Sequence, residues 1–193
     1  TGMPPSADEA RAFFSDAAPD KRAKLIARLT ASRECIHHLT VQLDVMLMER
    51  RAEMHTKAAD WRRWLEDSLT AGKTWDQLVR EILAADGSDA NSRHVARWML
   101  ERQAEPNLLT RDAGRLFLGS DLACAQCHDH PRVDDYTQRD YHGLAAFFGR
   151  TSLFQPDAAK PALVAEQATG ETAWTSVFTK ISGTTKPHLP GAA

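Results

Sequence analysis

Cysteine is scarce in this chain, with three residues in 193. That excludes a disulfide-stapled scaffold, and the length suffices for a core that folds without staples. An odd count also leaves at least one thiol without an internal partner. Neither sign of charge is in excess: 24 Lys and Arg stand against 26 Asp and Glu, a formal net charge of −2. Nucleic acid and anionic membrane surfaces are thereby removed from the expected partners, since both demand a strong positive surplus. Long apolar runs are missing too. Mean hydropathy is −0.44, and nothing approaches the roughly 18 residues of a membrane helix. No charged-then-apolar leader opens the chain. Its ends, Thr1-Gly2-Met3-Pro4-Pro5 and Pro190-Gly191-Ala192-Ala193, read as those of a piece of a longer protein. Other domains of a parent chain are therefore expected beside it.

What is present is helix after helix. Ser6 caps a first segment to Ser15 that carries Phe13 and Phe14. Lys21–Leu29 follows with Leu25, Ile26 and Leu29 on one side. Ser32 opens a longer helix in which Ile36, Leu39, Leu43, Met46 and Leu47 recur at helical spacing, while Val41, Val45 and Met48 line a neighbouring face. Apolar on two faces, it reads as a central helix. Ala58–Ala71, Thr74–Ala85 and Ser92–Gln103 read as three further helices, the first stopped by Gly72. Thr110 is the expected N-cap of Arg111–Leu118, and Asp140–Phe148 closes the series. Cys35 reads as a small buried hydrophobe. After Arg150, prolines and hydroxyl residues take over, and the alternation Trp174, Ser176, Phe178, Lys180 leaves room for a short β-hairpin. The expected fold class is all-α: one helical domain over residues 1–193, wrapped by an irregular tail over residues 151–193.

The chemistry sits in Cys124-Ala125-Gln126-Cys127-His128. C-x-x-C-H is the attachment sequence of c-type haem. Two thiols one turn apart can each add across a vinyl group on one porphyrin edge, and the adjoining imidazole binds iron from the proximal side. Covalent attachment lowers the demand for a large enclosing pocket, and packed helices supply a dry surrounding. Zinc competes, with Cys124, Cys127, His128 and His130 as candidate ligands, although neighbouring ligands are awkward on one tetrahedral ion and no second knuckle pair follows. A redox dithiol also competes, but it calls for a βαβ context that this segment lacks.

Segments 110–119 (TRDAGRLFLG), 124–131 (CAQCHDHP) and 140–148 (DYHGLAAFF) together resemble the planctomycete cytochrome c-like domain family, a domain of unknown function. Segments 21–29 (KRAKLIARL), 45–51 (VMLMERR) and 75–83 (WDQLVREIL) are similar to its earlier helices, so the resemblance covers most of the chain. Arg132 and His142 depart from the family pattern. The resemblance implies one covalent haem c per chain, maturation outside the cytoplasm in the periplasm or another exported compartment, and electron transfer with a redox partner protein. It does not supply that partner's identity.

His128 is the expected proximal ligand, its other ring nitrogen fixed by a carbonyl or carboxylate. For the sixth position, Met48 falls off the packing stripe of its helix and is the first choice. His55 and His38 follow; His188, in the tail, ranks last. His130 is two residues from His128, too close to reach the opposite haem face, and reads as a loop-ordering residue. Asp129, Asp134 and Asp135 read as solvated acids or a helix cap. Arg50, Arg51, Arg102 and Arg115 are candidate partners of the haem propionates, and Trp61, Trp64 and Trp98 either line the haem or fill the core. No catalytic constellation accompanies the motif. The chain therefore reads as a monohaem electron-transfer module rather than an enzyme. Two alternatives stand beside that: a haem sensor or peroxidase-like enzyme with an open distal side, or an interaction domain stapled by haem or zinc.

Overall fold

A computed structural model describes residues 1–169, 171–178 and 180–191; Ala192 and Ala193, quoted above as the chain's end, lie outside them. The described residues are mostly helical, in the order α1 (Ala7–Ser15), α2 (Lys21–Thr30), α3 (Arg33–Met48), α4 (Ala58–Thr70), α5 (Trp75–Ala84), α6 (Arg97–Leu100), α7 (Pro106–Phe117) and α8 (Gln138–Phe148). Four strands follow: β1 (Thr151–Phe154), β2 (Leu163–Glu166), β3 (Thr172–Thr175) and β4 (Ser182–Thr185). They form two antiparallel pairs, β1 with β2 and β3 with β4, so the tail holds two strand pairs where the sequence suggests one. The contacts divide the chain into two compact units: Thr1–Arg50 with Arg62–Thr74, and Arg51–Trp61 with the residues from Trp75 onward.

In the first unit, local chemistry builds the helices. Ser6 and Glu9 form a reciprocal capping box at the start of α1. Lys21 Nζ donates to the carbonyls of Phe13 and Asp16, which fixes the α1–α2 turn. Ser32 caps α3 through the amide of Cys35, whose side chain is half-buried. Burial is sparse: α1 and α2 have no buried residue. α3 departs from the central helix expected of it. Only Thr40, Asp44, Leu47 and Met48 are buried, while Leu39, Val41, Val45 and Met46 are exposed. Two apolar faces need two partners, and within its unit this helix does not find them.

The second unit holds a dense core. Trp98 is fully buried, with the Phe117 ring at 4.9 Å and the Phe148 ring at 6.5 Å. Two buried carboxylates organise the chain around it. Glu101 accepts from the amides of Met54, His55 and Thr56 and pairs with Arg97 at 3.1 Å. Burial opposes its charge, but those amides and the Thr56 hydroxyl outweigh burial and hold the carboxyl below its ordinary range. Asp112 takes Arg102 at 2.6 Å, with Arg51 and Arg115 within 3.7 Å.

Two expected helices have other bounds. Ser92–Gln103 is broken into a 3-10 turn at Arg93–Ala96 and the single turn α6. The side chains of Arg93 and Arg97 bind carbonyls far away in sequence, and Gln103 and Ala104 leave the helix at positive φ. α7 starts at Pro106, a turn before the expected cap. Glu105 caps it through the amides of Asn107 and Leu108, and Thr110 lies inside with its hydroxyl on the Pro106 carbonyl.

Candidate functional site

Behind α7, Gly119 turns the chain at a φ of 66°. Leu122 is fully buried and, with Leu144 of α8, lies over Gly114, where the backbone of Ser120 comes too near to admit a Cβ. That anchors the start of a 3-10 turn at Cys124–Gln126, which packs on α8. Ala125 points into the body, and the two flanking thiols, Cys124 and Cys127, are exposed and free. The amides of Cys127 and His128 both bond to the Cys124 carbonyl at 3.2 Å, so both thiols and the imidazole leave one tight turn.

The His128 ring has a defined tautomer. Its Nδ1 lies 2.7 Å from the Asp129 carbonyl oxygen. A carbonyl only accepts, so Nδ1 is the donor, and in the neutral ring the lone pair is on Nε2. Phe178, in the connection between β3 and β4, stands edge-on to this ring at 5.6 Å. Asp129 is a helix cap: its carboxylate accepts the Gln138 amide at 2.7 Å and ties the motif to the start of α8. His130 orders the loop, its Nδ1 accepting the Arg132 amide and its ring edge-on to Tyr136.

α8 itself is unusual in its polar contents. Thr137 and Asp140 form a capping box, and Tyr141 is buried with its hydroxyl on Asn107. Burial raises the Tyr141 phenol above its ordinary range. His142 stacks on Trp174 at 4.8 Å and 11°, and burial lowers its pKa. The tail returns along the same helix: His188 donates its amide to the Gly143 carbonyl, and Gly191 donates to the Asp140 carboxylate. A Cβ at Gly143 would run into the His188 ring. Three buried side-chain nitrogens here have no hydrogen-bond partner among the described residues: Nε2 of Gln138, of His142 and of His188. Next to this helix an apolar cavity of about 370 Å³ is walled by Leu83, Phe117, Leu118, Leu144, Phe147 and Leu189, among others. That falls in the range of small-molecule pockets.

The other expected residues are distributed differently. Met48 is buried at the end of α3 in the first unit, and His38 lies in the same unit with its ring against Gly2. His55 belongs to the second unit, where Gln103 Nε2 meets its Nε2 at 2.7 Å. Arg51, Arg102 and Arg115 are all drawn to the single Asp112 carboxylate, Arg102 the nearest at 2.6 Å; Arg50 lies in the first unit and is exposed. Trp61 and Trp98 are core, and Trp64 carries the Lys73 ammonium at 5.9 Å. Among the described residues no three His, Cys, Asp or Glu side chains gather as metal ligands. No helix among them is long and apolar enough to cross a membrane. Sequence reasoning did not find Phe178 against His128 or His188 on Gly143; a glycine inside an otherwise good helix was the one available signal.

Residues 1–152 match the sequence profile described as PSCyt2, protein of unknown function (DUF1549). The chain belongs to the PSCyt2 family. The match takes in the thiol turn and α8 and ends within β1, so the strand pair carrying Trp174 and the segment carrying His188 lie beyond it. No curated protein and no solved structure matches the chain.

Proposed function

We propose that this PSCyt2 chain is a monohaem c-type cytochrome domain that transfers electrons in an exported, periplasmic setting. The observation that carries the reading is one tight turn presenting two free, exposed thiols beside an imidazole whose Nδ1 is bonded to the Asp129 carbonyl, which leaves Nε2 as the nitrogen for a metal. Cys124 and Cys127 would form the thioether bonds and His128 would be the proximal ligand. The Asp129 carbonyl orients the His128 ring and leaves Nε2 turned away from it as the atom available to a metal.

The surroundings fit such a group. The apolar cavity beside α8 suits a flat apolar macrocycle, and Leu122, two residues before Cys124, meets Leu144 of its wall over Gly114. The partnerless nitrogens of Gln138, His142 and His188 lie on or against the helix that packs on the thiol turn. Gln138 Nε2 is a donor suited to a carboxylate such as a propionate, a role that the arginines committed to Asp112 leave open. When bound, haem c supplies an iron that cycles between two oxidation states and so holds one electron. Covalent attachment outside the cytoplasm is the reason for the periplasmic assignment. The physiological partner is a redox protein, and no catalytic group beyond the iron ligands enters the reading.

The test is maturation of the full chain in a host with c-type haem assembly machinery. The polypeptide is expected to gain the mass of one haem and to keep its colour through acid–acetone extraction. With Cys124→Ala and Cys127→Ala together, the haem is expected to be extractable. Matured wild-type chain that is colourless, with the mass of the bare polypeptide, overturns the proposal.

A further inference from the structure

We infer that His188, on the segment behind β4, is the second axial imidazole of the iron site, opposite His128; this rests on the cytochrome reading above. Four observations on the tail lead there. First, the His188 ring is oriented like that of His128: Nδ1 lies 3.1 Å from the Lys186 carbonyl and is the donor to it, so in the neutral ring the lone pair is on Nε2. Second, that Nε2 is buried without a partner among the described residues. A buried acceptor left unpaired is unfavourable in an ordinary core, and iron coordination would remove that cost.

Third, the ring is placed deliberately. Gly143 sits inside α8, where glycine is less favourable than alanine, and its missing Cβ is what admits the imidazole. The His188 amide on the Gly143 carbonyl and the Gly191 amide on Asp140 fasten both sides of the residue to the helix. Fourth, the same stretch of α8 anchors the motif: Asp129, next to His128, binds the Gln138 amide. Gln138 and Gly143 are five residues apart, about 7.5 Å along the axis. The two imidazole segments are therefore tied to the first two turns of a single helix. Leu189, the next residue, forms part of the apolar cavity wall.

The other nearby imidazole, His142, is less suited. Its ring face is covered by Trp174 and its neighbour Tyr141 stands edge-on to it. No carbonyl fixes its Nδ1 among the described residues. Met48, the choice from the sequence, is buried at the end of α3 in the first unit.

The experiment uses the full chain, haem-loaded, with covalent haem and mass checked first. Wild type is expected to be six-coordinate and low-spin, without the methionine–iron charge-transfer band. His188→Ala is expected to turn fully high-spin and to bind carbon monoxide when reduced, and added imidazole to restore the low-spin spectrum. His188→Met is expected to stay low-spin, to gain the methionine band and to rise in midpoint potential. His142→Phe is expected to leave the spin state unchanged. Loaded wild type that is high-spin, or loaded His188→Ala that stays low-spin, overturns the assignment. So does a change to high-spin in His142→Phe alone. A chain that takes up no haem defeats the cytochrome reading instead, so the two failures are distinguishable.

Discussion

The α1–α3 region and the α7–α8 region carry similar amphipathic patterns with capped helix starts, yet the first buries only one end of α3 while the second buries most of its apolar face. Ser6–Glu9 at α1 and Thr137–Asp140 at α8 are both reciprocal capping boxes. α1 nevertheless buries nothing, whereas seven of the eleven residues of α8 are buried. The difference lies in long-range polar anchors. Glu101 and Asp112 draw distant segments around Trp98 in the second unit. In the first unit, the anchors of α1 and α2 among the described residues are local: the cap, and the Lys21 bonds to the preceding turn. Capping decides whether a helix forms; distant partners decide whether its apolar face is used.

The comparison breaks most severely at Glu101. Its removal in Glu101→Ala leaves Arg97, 1% exposed, without its carboxylate, and releases three amides of residues 54–56. A loss of about 3–5 kcal/mol is expected from urea unfolding of the second unit. A smaller change is expected of Gly143→Ala. The new methyl displaces the His188 ring, an overpacking cost of about 1–3 kcal/mol, but alanine offsets about 1 kcal/mol of it through helix propensity. Global stability should move little while amides of residues 182–191 exchange faster with solvent.

A pH titration probes the same tail more gently. Burial lowers the pKa of His142 from its ordinary 6.5, so the ring is held neutral in the fold. Its contribution is fully present above 6.5 and is lost as pH falls toward the lowered value, because the unfolded chain binds the proton more readily. Protection factors of the β3 and β4 amides, corrected for the intrinsic slowing of exchange in acid, should therefore fall on acidification below pH 6.5, and His142→Phe should abolish that dependence. The smallest effect is expected in the first unit. Phe14 is 82% exposed, and Phe14→Ser should change stability by no more than about 0.5 kcal/mol. A loss of several kcal/mol there would show that the apolar face of α1 is used after all.

Much of the helical content was legible, because capping and spacing act within a few residues. Ser6, Ser32 and Gly72 stand at the ends that their side chains, or the lack of one, dictate. Reading failed where distant groups intervened. Thr110 looks like a cap but lies inside α7, since Glu105 and Pro106 start the helix earlier. Ser92–Gln103 looks continuous but is cut where Arg93 and Arg97 reach remote carbonyls. The candidate site divides the same way. The thiol turn was legible from five consecutive residues, whereas the neighbours of His128 were not, since Phe178 lies fifty residues on.

By itself, the sequence determined which residues could carry the chemistry, Cys124, Cys127 and His128, and that helices would surround them, because reactivity and capping are properties of short segments. Tertiary structure alone decided which arginines gather at Asp112, that Phe178 stands against His128, and that His188 lies on a glycine of α8. Those outcomes depend on groups brought together from separate segments, and no local pattern encodes them.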